Sequence, residues 1–380
     1  MKFKGMDVCS QSKTISLASI TLIIFFTMTQ RVHSADEQNW QSVSEHNYHE
    51  VLSLVALCSK ANYDAISSWQ GLLNIFETNH YYGSDAAKMS NADISSPASN
   101  SQYILEEIRG KAEFALDTRN NKLYSKNEKP VVRLKAIDLG QNVPVRNNGE
   151  YMGLKAILTT DIYIWYMPDG KFRSNSQKNP DKMVFIDKPE ERKFNLSGDI
   201  RDPRVFFESS GDHGRKLWDT LFRINSTINE RINKRIEGFP HIQISSLETD
   251  QGTKYRILTT WKGIKYIRCL LEVDEMVNFN TTKIEITNPD GVKTESEEYT
   301  YEKIGEVYLP KTVRKEYRNS KGAITRISEI TIETTNMNKP LPEDTFTIKN
   351  LGIEEGTLVS DKIKKTEFQF IKGSLVPVQE

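Results

Sequence analysis

The sequence predicts an α+β protein built on one large antiparallel sheet, and three observations carry that expectation. From Tyr103 to Asp117 the even positions Ile104, Ile108, Ala112, Phe114 and Leu116 alternate with Glu107, Arg109, Lys111, Glu113 and Asp117. This is the period-two pattern of a long strand with one wet face. After Pro240 the turn signals Asp250-Gln-Gly252, Asn288-Pro-Asp-Gly291 and Asn319-Ser-Lys-Gly322 recur at the intervals of a β-meander. Two other stretches, His46 to Tyr63 and Arg215 to Ile236, switch to three- and four-residue spacing and read as amphipathic helices.

The first helix carries its stripe on Val51, Leu54, Val55, Cys58 and Ala61. From Ser67 the period changes, with Trp69, Gly71, Leu73 and Ile75 alternating with Ser68, Gln70 and Asn74 in a strand that runs to about Tyr82. Residues 84–101 have no period and read as a loop. Val131–Asp138 is a strand returning after a turn at Thr118–Lys122. The run Ile162–Met167 is apolar on both faces and stops at Pro168-Asp169-Gly170. Met183–Ile186 is a further short strand. The second helix has a stripe of Leu217, Leu221, Ile224, Ile228, Ile232 and Ile236, with Trp218 and Phe222 beside it. Strands of the meander are expected at Ile242–Leu247, Tyr255–Thr260, Tyr266–Val273, Lys283–Thr287, Glu298–Lys303, Val307–Pro310, Lys311–Tyr317 and Ile324–Thr334.

The N-terminus reads as a cleavable signal peptide over residues 1–34. Lys2, Lys4 and Lys13 precede the apolar run Ile15–Met28, which is shorter than the ~20 residues needed to span a bilayer. Val32-His33-Ser34 supplies small residues at −3 and −1 before Ala35, as a signal peptidase requires. An uncleaved anchor is the alternative. Cys9 lies ahead of the apolar run, so it is not a lipoprotein-type lipidation site. No later segment is apolar enough to cross a membrane, so the expected location is periplasmic or secreted.

The chain of 380 residues balances 51 basic against 51 acidic groups. Loss of Lys2, Lys4, Lys13, Arg31 and Asp7 with the leader leaves 47 against 50, a formal net charge of −3. No basic excess or stripe of the kind that binds nucleic acid is present. Cys58 and Cys269 survive maturation. An exported protein permits a bridge between them, but each is in step with apolar neighbours and reads better as a buried free thiol.

No motif identifies a reaction. His46 and His49, flanked by Glu45 and Glu50, have ligand-like spacing but lack a third ligand, and read as a solvated helix end. Glu208-Ser209-Ser210-Gly211-Asp212-His213-Gly214 has the wrong glycine spacing for a nucleophile elbow, and triad roles come from separated segments. Paired carboxylates such as Glu106-Glu107 and Glu297-Glu298 are sequence neighbours that point to opposite faces of a strand. No cofactor and no metal are expected. An antiparallel sheet with two-sided apolar strands and two amphipathic helices can enclose an apolar cavity. Tyr163, Trp165, Phe206, Phe207, Trp218 and Leu221 are candidates to line it; the alternative is that they pack a dry core.

A set of short signatures in order resembles a known family. Ala65-Ile-Ser-Ser-Trp69-Gln-Gly71, Phe114-Ala-Leu-Asp117, Tyr163-Ile-Trp-Tyr-Met-Pro168-Asp169, Asp202-Pro-Arg204 with the Trp218 helix, and Gly305-Glu-Val-Tyr-Leu-Pro310 are followed by Pro342…Phe346-Thr-Ile348…Leu351-Gly-Ile353…Gly356-Thr-Leu-Val-Ser-Asp361. Together they resemble the periplasmic outer-membrane lipoprotein-sorting (LolA-like) superfamily, especially large secreted members of planctomycete-type bacteria. The resemblance implies a strongly curved antiparallel sheet, an incomplete β-barrel, with two or three helices covering the concave face. It implies one half-barrel domain over 35–372 and a C-terminal tail at 373–380. Carrier members hold lipoprotein acyl chains in the cavity and use an arginine inside it as a latch; no local motif marks that arginine here. The loops at 84–101 and 139–153 exceed the simple fold.

The expected function is that of an exported, non-enzymatic binding protein for acyl chains or another apolar ligand, with Tyr163, Trp165, Phe206, Trp218 and Leu221 lining its site. An envelope regulatory module that binds proteins through the convex face or a sheet edge is the alternative, and a hydrolase using Ser210 or His213 a third. Sequons such as Asn225-Ser-Thr and Asn280-Thr-Thr matter only in a eukaryotic host.

Overall fold

In the computed structural model the described residues are 39–86, 102–143, 153–166, 168, 183–188, 203–207, 216–233, 241–261 and 267–378. The described residues from Gln41 onward form one compact unit. The expected signal peptide, the loop residues 87–101 and the Ser210/His213 segment lie outside the described residues.

Period-two patterning becomes a run of strands: β1 (Gln41–Ser42), β2 (Ser68–Tyr82), β3 (Tyr103–Asp117), β4 (Lys122–Asn127), β5 (Val131–Ala136), β6 (Gln141–Val143), β7 (Leu154–Leu158), β8 (Tyr163–Tyr166) and β9 (Met183–Asp187). The meander supplies β10 (His241–Thr249), β11 (Gly252–Trp261), β12 (Ile267–Asp274), β13 (Asn280–Thr287), β14 (Lys293–Ile304), β15 (Val307–Arg318) and β16 (Ile324–Met337). Then come β17 (Leu358–Asp361), β18 (Thr366–Ile371) and β19 (Ser374–Pro377). The helices are α1 (Tyr48–Asp64) and α2 (Leu217–Asn233), with a 3-10 turn at Pro203–Phe207.

Neighbouring strands pair antiparallel from β10 through β16, and β16 then pairs with β2. β2 and β3 pair over their whole length, from Ser68↔Asp117 to Tyr82↔Tyr103. There the sheet forks: the C-terminal half of β3 pairs with β4 and the N-terminal half with β5. β4 leads on through β7, β8 and β9, and β9 meets β17 in a parallel pair before β18 and β19. The end strands β1 and β19 do not pair with each other among the described residues, so the curved sheet is an incomplete barrel. The helices cover its concave face.

Gly71 fixes the closest approach in this sheet. A Cβ there would lie 2.5 Å from the Glu333 carbonyl and 2.9 Å from the Phe114 ring, so only glycine lets Phe114 seat edge-on against Trp69, their centroids 5.0 Å apart. Pro310 stands inside a single strand, β15, where two were expected. It pairs with Tyr301 at a register shift in the β14 ladder, and the β16 ladder starts only at Thr312. A proline lacking an N–H is tolerated at such a bulge.

The stripe of α1 differs from the expected one. Tyr48, Val51, Leu52, Val55, Ala56, Ser59 and Asn62 are buried, whereas Leu54 and Leu57 are 42 % and 58 % exposed. Polar anchors set this rotation: Asn62 hydrogen-bonds the backbone of Tyr308, and Ser59 Oγ donates to Asn280 Oδ1 at 3.4 Å. On α2, Leu217, Trp218, Leu221 and Ile224 are buried as expected, but Phe222 points outward. α2 is tied to α1 by Asn225, which shares a 2.8 Å hydrogen bond with His49 Nδ1 and donates to Ser53 Oγ at 3.0 Å. The sequon asparagines Asn225 and Asn280 are therefore buried and engaged, and a third, Asn195, lies outside the described residues.

Two cores result. The main one lies between the helices and the concave face. The second joins Ile157, Tyr166, Val184 and Ile186 to Leu351, Ile353, Val359 and Phe370. It explains why the strand at 163–166 is apolar on both sides: Tyr163 and Trp165 enter the main core while Tyr166 enters the second. The C-terminal residues 374–377, expected as a tail, form β19 beside β18.

Candidate ligand-binding face

Tyr163 and Trp165 come from β8, Phe206 from the 3-10 turn, and Trp218 and Leu221 from α2. All five are buried, and the fold brings them into one cluster with α1. Tyr63 of α1 is the hinge of the aromatic set, its ring 5.1 Å from Trp218 and 5.2 Å from Phe207. Trp165 stacks on Phe185 at 4.2 Å. Aromatic pairs at such distances add about 0.5–1.5 kcal/mol each beyond area burial.

Beside this apolar region the same face carries charges that sequence reading did not place there. Arg326 Nη2 donates to Glu77 Oε1 at 3.0 Å, and Ser328 Oγ donates to the same oxygen at 3.1 Å. Lys315 Nζ donates to Glu297 Oε1 at 2.8 Å, and the Tyr299 hydroxyl donates to Glu297 Oε2. Asn79 and the Tyr81 hydroxyl both donate to Glu106, at 2.8 and 2.9 Å. Glu77, Glu106 and Glu297 are buried carboxylates, each held by hydrogen bonds as burial of a charge demands. The signal for them was a polar residue falling on the apolar phase of an alternating strand: Glu106 between Ile104 and Ile108, and Glu77 after Ile75.

Burial, helped by Glu297, pushes the Tyr299 hydroxyl well above the ordinary tyrosine range, and burial does the same for Tyr301 and Tyr317. Burial, reinforced by Glu295 and Glu297, raises the Cys269 thiol from 9.0 to about 11. Burial, then Glu275, raises Cys58 as well. Both cysteines are free and pack against the main core. These phenols and thiols are thus protonated at neutral pH and poorly suited to nucleophilic chemistry.

The convex face has a different character. One row runs Arg256–Glu272–Lys283–Glu298–Arg314–Glu329 across β11 to β16, each residue directly opposite the next. Signs alternate along the row, so the charges satisfy one another. A groove of about 520 Å³ beyond its end is lined by Asn74, Phe76, Arg109, Lys111 and Glu329. A second cleft of about 640 Å³ lies at the β1/β10 edge, between Val43, Glu45 and Tyr48 and the residues Ile242 and Ile244. Neither cleft contains any of the five candidate residues.

No family model matches the chain, and no curated protein matches it. Solved structures similar to it include a LolA superfamily protein from Nitrosomonas europaea, at 13 % identity, covering 78 % of this chain and 98 % of that one with a TM-score of 0.33. A DUF1329 family protein from Desulfovibrio piger is 10 % identical and covers 80 % and 98 %, with a TM-score of 0.32. A proposed outer membrane lipoprotein-sorting protein domain from Vibrio parahaemolyticus is 9 % identical and covers 78 % and 97 %, with a TM-score of 0.29. The Nitrosomonas protein carries the name of the superfamily that the sequence resembles. At these overlaps the fold described above rests on the strand pairing of this chain itself.

Among the described residues no group of three His, Cys, Asp or Glu side chains is placed to hold a metal ion. His49, one of the two spaced like ligands, is spent on Asn225. No helix among the described residues is long and apolar enough to cross a membrane.

Proposed function

We propose that the chain is an exported, non-enzymatic binding protein that holds an acyl chain or another apolar ligand between the helix pair and the concave face of the sheet. Tyr163, Trp165, Phe206, Trp218 and Leu221 are the walls of that site. The observation that carries this reading is the construction of the cover. The helices are not strands of the barrel: among the described residues, side-chain hydrogen bonds from Ser59 and Asn62 join α1 to the sheet and one from Asn225 joins α2 to α1, over an apolar surface. A layer attached in this way can lift and admit an apolar chain while the hydrogen-bonded sheet beneath stays intact.

The test is native mass spectrometry of mature protein purified gently from its own host, followed by solvent extraction and lipid analysis. A stoichiometric acyl-containing ligand is the expected result, and a clean apo mass under gentle conditions overturns the reading. The second reading is an envelope module that binds another protein, and the β1/β10 edge favours it. Among the described residues β1 pairs there through Gln41 and Ser42, with the Val43 N–H donating to the Ile244 carbonyl, and His241 to Ser245 of β10 border the 640 Å³ cleft. An apo mass with co-purifying envelope protein supports that alternative.

A further inference from the structure

The concave face is divided along a straight line. Tyr299, Val313, Ile330 and Ile75 are successive cross-strand partners on β14, β15, β16 and β2, and all four are buried apolar or aromatic side chains. Two residues further along each strand, the next partners are Glu297, Lys315, Ser328 and Glu77. Beyond them come Glu295, Tyr317, Arg326 and Asn79. Four neighbouring strands therefore change from apolar to polar in the same register. A lone buried ion pair is a common feature of a sheet; a boundary shared by four strands makes two chemical compartments on one surface. The helix α1 is anchored on the apolar side, through Asn280 and Tyr308.

Arg326 stands in the polar compartment. Its guanidinium donates from Nη2 to Glu77 and lies 5.9 Å from the Tyr317 ring centroid. Its Nε is buried with no acceptor among the described residues. A buried guanidinium N–H without an oxygen to receive it is costly, and Arg326 sits in the row opposite Tyr317 and Asn79, four residues along β16 from Ile330.

We infer that the ligand is a single-chain amphiphile with a carboxylate or ester carbonyl at its head, that the head oxygen accepts from Arg326 Nε, and that its chain runs back over Ile330 and Ile75. This rests on the reading of the protein as an apolar-ligand carrier and adds the polarity and direction of the ligand. A carboxylate and an ester carbonyl share the acceptor oxygen, and the probes below tell them apart.

The test is equilibrium binding of radiolabelled hexadecane, methyl palmitate and palmitate to the delipidated full chain. An extra charge-assisted hydrogen bond predicts that palmitate or its methyl ester binds about tenfold or more tightly than hexadecane. Binding of both headed probes points to a carbonyl, and of palmitate alone to a carboxylate. The double variant Arg326→Met/Glu77→Leu removes the pair without stranding a carboxylate, and Arg326→Gln keeps an N–H donor for Glu77 but loses Nε. In either folded variant the preference over hexadecane should vanish while hexadecane affinity is retained; Glu77→Gln, which leaves Nε in place, should keep it. Equal binding of all three probes to the wild type, or an undiminished preference in the Arg326 variants, overturns the inference and leaves the carrier reading standing. Failure of all three probes to bind removes the carrier reading itself and the inference with it.

Discussion

Asn62 closes both backbone hydrogen bonds of Tyr308: its Nδ2 donates to the Tyr308 carbonyl at 2.8 Å and its Oδ1 accepts from the Tyr308 N–H at 2.8 Å. One buried side chain thus stands in for a strand neighbour and fastens α1 to β15. Asn62→Ala leaves two backbone groups without partners and should lower stability by about 2 kcal/mol or more, read as a fall in the urea midpoint. Leu57→Ala, on the exposed side of the same helix, should change stability by under about 0.5 kcal/mol. Equal effects would contradict the orientation of α1.

Gly71→Ala forces a methyl group to within 2.5 Å of the Glu333 carbonyl and against the Phe114 ring. Overpacking of this kind costs about 1–3 kcal/mol. Thermal unfolding should shift down accordingly, whereas Gly291→Ala, with open space around it but φ +81°, should be affected only by backbone strain. A Gly71→Ala protein as stable as the wild type would sink the close-approach argument.

The two cores explain how much of this fold the sequence displayed. Alternation made β2, β3 and the meander legible because one of their faces is wet. It failed for β17 to β19, which are short and pack their apolar residues into the second core against strands nearly 200 residues away. Alternation also gave no face for the 163–166 strand, because its two apolar faces pack into two different clusters. The helix rotation was missed because Ser59 and Asn62, polar by any hydropathy scale, are the buried anchors. The polar compartment was hidden for the same reason: Arg326, Lys315 and Glu297 look like ordinary surface charges until strand register puts them on the inner face.

Removal of residues 356–380 takes away β17 to β19 and uncovers Tyr166, Val184 and Ile186. The truncated chain should bind a hydrophobic dye such as anilinonaphthalene sulfonate and melt at a lower temperature. A truncation with unchanged melting and no dye binding would show that the second core is dispensable.

Alkali should weaken the fold. Cys269 titrates near 11 in the native state against 9.0 for the ordinary thiol, and Tyr299, Tyr301 and Tyr317 are raised in the same direction. The unfolded chain releases these protons first, so the Cys269 contribution is complete below about pH 9 and is lost as pH rises through about 11. The tyrosine contribution starts to fall only near pH 10 and goes on falling above 11. Melting temperature should fall over that window, and at pH 8 iodoacetamide should modify the partly buried Cys269 more slowly in the native protein than in the urea-unfolded chain. Equal rates in the two states would contradict the raised thiol.

The seating of Asn225 and Asn280 bears on where such a chain can mature. Oligosaccharyl transfer acts on the nascent polypeptide before it folds. A glycan attached at either site would occupy the volume that Ser53 fills beside Asn225 and that Ser59 and the Val277 carbonyl fill beside Asn280. Sugar addition and the native fold are therefore mutually exclusive at these two asparagines. A host that glycosylates either asparagine should yield less folded protein than one that does not, and replacing both asparagine sequons at Thr227 and Thr282 should remove that difference.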